Sequence, residues 1–169
     1  MNERSSSRVL RKTLERQLAG AKRVVLLAVG SDLRGDDGAG TLTAELLSER
    51  EPTRLAVVRG ATAPENLTGE IRGLQPTHLV VVDAVEMGRR PGAVALVPLA
   101  ELAGEAASTH RLPLGLTLSF LAHELGCDLL VIGIQPRSTS LGAAMSPEVS
   151  AAAKEVASLL RELLDPAAG

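Results

Sequence analysis

Three acidic residues lie within one glycine-rich stretch, VGSDLRGDDGAG, at positions 29–40. They are Asp32, Asp36 and Asp37, and they follow the apolar run VVLLAV, which predicts a buried strand. The glycine spacing resembles the start of a phosphate-binding loop, but such a loop continues with Lys and Ser or Thr. Adjacent carboxylates would repel a phosphate, so the stretch indicates binding of a cation or of a positively charged surface. Capping of the next helix is the alternative for either acid alone.

A further carboxylate and an imidazole complete the candidate set. Asp83 comes near the end of the apolar run HLVVVDA, where a carboxylate is costly to bury without a partner. His110 lies in ASTHRLPLG, in a predicted loop just before a helix. With Asp37 they form a mixed oxygen and nitrogen set, which suits a divalent transition metal with open coordination positions. The same three side chains could equally hold a proton, and capping of a turn by Asp83 or simple exposure of His110 are the alternatives.

The other histidines and the single cysteine are predicted to lie away from this set. His78 opens the strand that Asp83 closes, so it belongs at the opposite edge of the sheet. His123 falls on the solvent side of a predicted helix, and Cys127 is interpreted as a small packed residue. The sequence contains no G-x-S-x-G and no H-E-x-x-H motif, so the common serine and zinc peptidase signatures are excluded.

The elements that must position these residues alternate between strands and helices. Apolar runs predict strands at 23–29, 54–58, 78–84, 93–99 and 128–134, and helical spacing predicts helices at 8–19, 41–50, 64–73, 113–125 and from Ser146–Pro147 onward. Strands that are apolar on both faces indicate a three-layer α/β/α sandwich with a mostly parallel, twisted, five-stranded sheet. The short connection to the fourth strand predicts an antiparallel edge strand. Sites in such sheets form at the carboxyl ends of the strands.

Composition limits the remaining possibilities. A chain of 169 residues with 45% apolar residues is long enough for one substantial core. We expect an N-terminal helical extension over residues 1–20 and a single α/β domain over residues 21–166. The net charge of −2 gives no electrostatic case for nucleic acid. The absence of a long apolar run and of a signal-like N-terminus predicts a cytoplasmic protein without membrane insertion.

The motifs, taken together, resemble the nickel-iron hydrogenase maturation endopeptidases. The acidic stretch is similar to the first motif of that family, Gly-Asn-x-Leu-x-x-Asp-Asp/Glu-Gly. Further similarity runs over roughly residues 23–164, through GATAPEN (60–66), LVVVDAVEMGRRPG (79–92), STHRLPLG (108–115) and VIGIQP (131–136). The combination is most similar to the subgroup that serves hydrogenase-3 enzymes of the formate-hydrogenlyase type.

The resemblance implies an activity and a site. Members of this family remove a C-terminal extension from the hydrogenase large-subunit precursor after nickel insertion. Their nickel-contacting carboxylate, aspartate and histidine fall on Asp37, Asp83 and His110, and the catalytic chemistry would be aspartic-type or metal-assisted. The nickel would arrive on the precursor, and the endopeptidase is expected to act as a monomer. A non-cleaving, nickel-dependent checkpoint protein and a hydrolase that holds its own metal are the alternatives.

Two positions depart from the family pattern. Ser31 stands where the family usually has Asn after the first glycine. Arg59 stands where an Asp commonly precedes two glycines, so an acid has become a base at the end of the second strand. We predict that Arg59 lies at the rim of the site, because the second strand should neighbour the first and end at the same edge.

Overall fold

The predicted α/β architecture is confirmed by the computed structural model, which describes residues 3–61, 67–99 and 111–165. The strands are β1 (Val24–Val29), β2 (Leu55–Ala61), β3 (His78–Ala84), β4 (Val94–Leu96) and β5 (Asp128–Ile134). The helices are α1 (Glu3–Leu18), α2 (Ala39–Glu49), α3 (Thr68–Leu74), α4 (Arg111–Leu125) and α5 (Pro147–Leu164), with a 3-10 helix over Asp32–Gly38.

One five-stranded sheet has the order β2-β1-β3-β5-β4. The first four strands in this order are parallel, and β4 pairs antiparallel with β5 at the edge. The predicted antiparallel edge strand is therefore confirmed. It pairs with β5 and not with β3, although only the loop 85–93 separates β3 from β4, because β5 occupies the place beside β3.

Alternate residues of each central strand enter two separate cores. On one face, Leu26 and Val80 pack with α1, α2 and α5, whereas on the other face Val25 and Val81 pack with α3 and α4. Every residue of β1 and β3 is buried, which explains why these strands are apolar on both faces. The two cores define the three layers that the sequence predicted.

Helix α1 is joined to the first of these cores. Leu14 and Leu18 are almost fully buried, and the carbonyl oxygen of Gln17 lies 3.1 Å from Nε2 of His78. Residues 3–18 thus cover one end of the sheet in addition to contacting α5. None of the helices in the described ranges is both long enough and apolar enough to cross a membrane.

Candidate functional site

The carboxyl ends of β1 and β3 meet at one edge of the sheet, where the candidate acids lie. Ala28 pairs with Val82, so Asp83 and the residues after Val29 leave the sheet side by side. The first turn of α2 rests on this edge: a Cβ at Gly40 would collide with the carbonyl oxygens of Val82 and Val29. The close approach allowed by this glycine brings the 3-10 helix against β3.

Asp37 is oriented by the start of its own loop. Its Oδ2 accepts a hydrogen bond of 2.9 Å from the backbone amide of Ser31, and the side chain is half-buried. Gly30 has a φ of 115°, and a Cβ there would overlap the carbonyl oxygen of Asp37. The Ser31 hydroxyl accepts from the amide of Leu33 at 3.3 Å, so the smaller side chain at the usual Asn position still bonds within the loop.

Asp36 bonds to residues 137–146 and is only 1% exposed. Its Oδ2 accepts from the amides of Arg137 (2.7 Å) and Ser138 (3.2 Å), and Ser146 donates its amide to Oδ1 (2.6 Å) and its hydroxyl to Oδ2 (3.0 Å). Burial alone would raise the pKa of the Asp36 carboxyl, but these hydrogen bonds outweigh it and the pKa lies below its ordinary value. Asp36 is therefore an ionised structural anchor.

The capping interpretation applies to Asp36, but at a different helix from the one expected. The N-cap of α2 is Gly38, which has no side-chain capping bond. Asp36 instead accepts at the N-terminus of α5, where Ser146 is the N-cap and Pro147 begins the helix as the sequence predicted. The Ser146 hydroxyl bonds to Asp36 and leaves its own helix uncapped by a side chain.

Asp83 is the penultimate residue of β3 and is 1% exposed. It pairs in register with Gly133 of β5. A Cβ atom added to Gly133 would lie 2.6 Å from Cγ2 of Val97 and 3.2 Å from Cβ of Val85. The predicted position near the strand end is confirmed. Asp83 is a buried carboxylate at the carboxyl edge of a central strand.

Gln135 is a buried residue at this edge that the sequence analysis did not single out. Its Oε1 accepts from the amides of Met87 (2.7 Å) and Arg89 (3.1 Å), and its Nε2 donates to Glu86 (2.8 Å) and to the carbonyl of Pro136 (3.1 Å). The donated bond is the largest cause of the lowered pKa of the Glu86 carboxyl. The signal in the sequence was a lone amide directly after the apolar strand VIGI, inside the quoted VIGIQP motif.

Two predicted parts of the site lie outside the described residues. His110 is one, and residues 62–66, which hold the whole of APEN from the GATAPEN motif, are the other. Among residues 3–61, 67–99 and 111–165, no group of three or more His, Cys, Asp or Glu side chains is arranged to hold a metal. The site formed by Asp37, Asp83 and His110 therefore stays a prediction. The structure describes two of its three residues, Asp37 and Asp83.

The residues predicted to be remote lie where they were expected. His78 is buried at the opposite end of β3, with Nδ1 3.0 Å from Oγ1 of Thr77. His123 is exposed on α4. Cys127 packs partly buried against the second core, and burial raises the pKa of its thiol, as expected for a packed residue.

Arg59 lies in β2, beside Ala28 of β1, at the predicted rim of the edge. Its guanidinium is 3.7 Å from the carboxylate of Glu45 on α2, and both side chains are about half exposed, at 49% and 53%. The described partner of Arg59 is thus an acid on the neighbouring helix α2.

The chain is similar to known proteins in both sequence and fold. Residues 41–163 match the HycI family model, described as hydrogenase maturation protease. The hydrogenase 3 maturation protease of Escherichia coli K12 is 39% identical over 113 residues, which are 66% of this chain and 72% of that protein. The crystal structure of the [NiFe] hydrogenase maturation protease HycI from Thermococcus kodakarensis superposes with a TM-score of 0.82 at 35% identity, covering 90% of this chain and 98% of the other.

Further solved structures share the fold. The solution structure of the endopeptidase HycI from Escherichia coli gives a TM-score of 0.75 at 35% identity, over 82% of this chain and 89% of that one. HybD, the hydrogenase maturating endopeptidase of the same organism, gives 0.68 at 28% identity over 83% and 93%. An α/β sheet with acids at its carboxyl edge and these matches define the class as endopeptidases of hydrogenase maturation. The chain belongs to the hydrogenase maturation protease family, and its similarity to the HycI group confirms the subgroup that the motifs indicated.

Proposed function

We propose that this endopeptidase removes the C-terminal extension from the large-subunit precursor of a nickel-iron hydrogenase after nickel has been inserted. The observation that supports it is the meeting of two acid-bearing segments at one sheet edge. Asp37 lies in the segment after β1, and Asp83 is the penultimate residue of the adjacent parallel strand β3.

In this proposal the nickel belongs to the substrate and contacts Asp37, Asp83 and His110. Two carboxylates and one imidazole leave coordination positions open, so the set would bind a free divalent ion weakly. A precursor that presents nickel on its own thiolates would supply the missing ligands. Cleavage would then wait for metal insertion, because the binding site is complete only when both proteins are present.

The proposed roles of the two acids follow from their surroundings. Asp37 is half-buried and held from one side by the Ser31 amide, so it is the candidate general base for an attacking water. Asp83 is buried, and a carboxylate in such a position interacts strongly with a nearby cation. Nickel on the precursor would add Lewis-acid polarisation of the scissile carbonyl.

The test is cleavage of nickel-loaded precursor by the purified chain. We expect a shortened large subunit, detected by mass spectrometry, and a released C-terminal peptide. The alternative, a non-cleaving checkpoint protein, is favoured by Arg59 at the position of a common family acid. It predicts a stable complex with the loaded precursor and no shortening.

A further inference from the structure

We propose that the connection between β5 and α5, residues 135–146, is a bracket that fixes the separation of the two acid-bearing segments. Its positioning residues are Asp36 and Gln135. The inference rests on the proposed roles of Asp37 and Asp83 and deepens them, because it states what sets the distance between these two carboxylates.

One end of the bracket holds the loop that carries Asp37. The Asp36 carboxylate accepts from the amides of Arg137, Ser138 and Ser146, so three points of the connection converge on one side chain. The backbone contributes two more bonds. The amide of Asp36 donates to the carbonyl of Ser138 at 3.0 Å, and the amide of Gly142 donates to the carbonyl of Leu33 at 2.9 Å.

The other end holds the loop 85–93, which directly follows β3 and begins two residues after Asp83. The Gln135 side chain accepts from the amides of Met87 and Arg89, and it donates to Glu86. Its backbone bonds the far end of the same loop: Gly92 donates to the Gln135 carbonyl, and the Gln135 amide donates to the carbonyl of Ala93, both at 2.8 Å.

The two ends are close together in the chain and are shielded from water. Gln135 and Arg137 are separated by a single proline, and Asp36 and Gln135 are 1% and 3% exposed. Hydrogen bonds in such surroundings are strong, and leaving their donors unpaired is costly. A displacement of either loop would therefore have to break buried hydrogen bonds to the same short segment.

Neither residue is a catalytic residue in this account. The Asp36 carboxylate bonds to Arg137, Ser138 and Ser146. The Gln135 side chain bonds to the loop after β3 and to the carbonyl of Pro136. Their effect on catalysis is through the placement of Asp37 and Asp83. A misplacement of about 1 Å at a reacting centre can lower a rate by about 100-fold.

The test measures kcat and KM on nickel-loaded precursor for Asp36→Ala, Gln135→Met and the double variant. Gln135→Met keeps the side-chain volume but removes the four side-chain hydrogen bonds. At a temperature where circular dichroism shows each variant folded, we expect kcat to fall by about 10- to 100-fold and KM to stay within about twofold. The double variant should have a kcat only slightly below that of the slower single variant. Loss of the hydrogen bonds at one end of the bracket already removes the constraint on the distance between the two acid-bearing segments. Asp36→Asn, which keeps one acceptor oxygen, should restore part of the lost kcat.

Leu160→Ala is the matched control for lost stability. Leu160 is 1% exposed on α5, and it lies about 21 Å along the helix from Ser146 at 1.5 Å per residue. The Leu160→Ala variant should unfold more easily than the wild type and keep the wild-type kcat. Any of three results would overturn the proposal. The first is a wild-type kcat in both Asp36→Ala and Gln135→Met, and the second is a raised KM with unchanged kcat. The third is a loss of kcat in the double variant that equals the product of the two single losses.

Hydrogen exchange separates this proposal from the proposed function. In Asp36→Ala, amide exchange should accelerate in residues 85–93, a loop to which none of the four Asp36 side-chain hydrogen bonds runs. Acceleration confined to residues 31–38 and 137–146 would overturn the bracket, whatever the protein cleaves. Failure of the wild-type protein to cleave nickel-loaded precursor would instead overturn the proposed function and leave the exchange result to decide on the bracket.

Discussion

The carboxylates of Asp36 and Asp37, although adjacent in the chain, face different partners. Asp36 is buried against residues 137–146, whereas Asp37 accepts from the Ser31 amide at 2.9 Å in the loop after β1. The 3-10 helix is kinked directly before the pair, where Gly35 has a φ of 57°. Asp36 therefore has a structural role, and Asp37 lies at the candidate site.

Substitution of these two acids should separate stability from activity. Asp36→Asn places an amide among buried donors, so we expect the free energy of unfolding to fall by about 3 kcal/mol. Asp37→Asn should change it by less than about 1 kcal/mol, because the side chain is only half-buried, and should abolish processing. Chemical denaturation and the precursor assay measure the two effects. Equal stability losses in both variants would contradict the division of roles.

The stability contributed by Asp36 should depend on pH with a defined sign. The pKa of its carboxyl is below the ordinary value of 3.8 in the folded chain, so folding favours the ionised form. The contribution is fully present above about pH 5 and is lost as pH falls through the folded pKa. The difference in unfolding free energy between the wild type and Asp36→Asn should therefore be constant from about pH 5 to pH 7 and shrink below about pH 4. A difference that grows on acidification would refute the anchoring role.

Asp83 and His110 should be required for cleavage. We expect Asp83→Asn and His110→Gln to slow processing of nickel-loaded precursor by at least about 100-fold, because each removes one proposed contact to the metal. Asp83→Asn preserves shape in a buried position, so circular dichroism should stay near that of the wild type. Glu124→Gln, which breaks an exposed ion pair with Arg72 far from the site edge, is the control expected to retain activity. Full activity of Asp83→Asn would show that the assignment of this residue is wrong.

Arg59→Asp should be tolerated. The ion pair with Glu45 is long and exposed, so its loss should cost less than about 1 kcal/mol. The new acid restores the residue type common in the family at the rim of the site, and we expect processing to be equal to or faster than that of the wild type. Pairing it with Glu45→Gln removes the repulsion that the new acid would create. A collapse of folding in this double variant would reveal a structural role for Arg59.

The fold could be predicted from local pattern to a large extent. The bounds 78–84 and 128–134 agree with β3 and β5 because polar residues flank apolar runs there. β2 extends to Ala61, beyond the predicted end at 58, since Arg59 and Gly60 interrupt the apolar pattern while the pairing with β1 continues. β4 is reduced to three residues, Val94–Leu96, within the longer apolar run.

The candidate site was predictable only where its signal is local. Asp83 could be recognised as a carboxylate closing an apolar strand. The role of Asp36 could not, because its acceptor contacts reach residues 101 to 110 positions away. The role of Gln135 could not be predicted for the same reason, because its partners in the loop after β3 are 46 to 49 positions away in the chain. Both are buried polar groups whose hydrogen bonds exist only once the sheet has assembled.

The most direct measurement compares nickel-loaded and nickel-free precursor as substrates of the same purified chain. The nickel-free reaction is run with and without added zinc or magnesium, so that a free metal can replace the missing one if the enzyme needs only a cation. The account predicts a shortened large subunit from the nickel-loaded precursor alone. Comparable cleavage of the nickel-free precursor would contradict it and would indicate a peptidase that recognises the polypeptide without its metal.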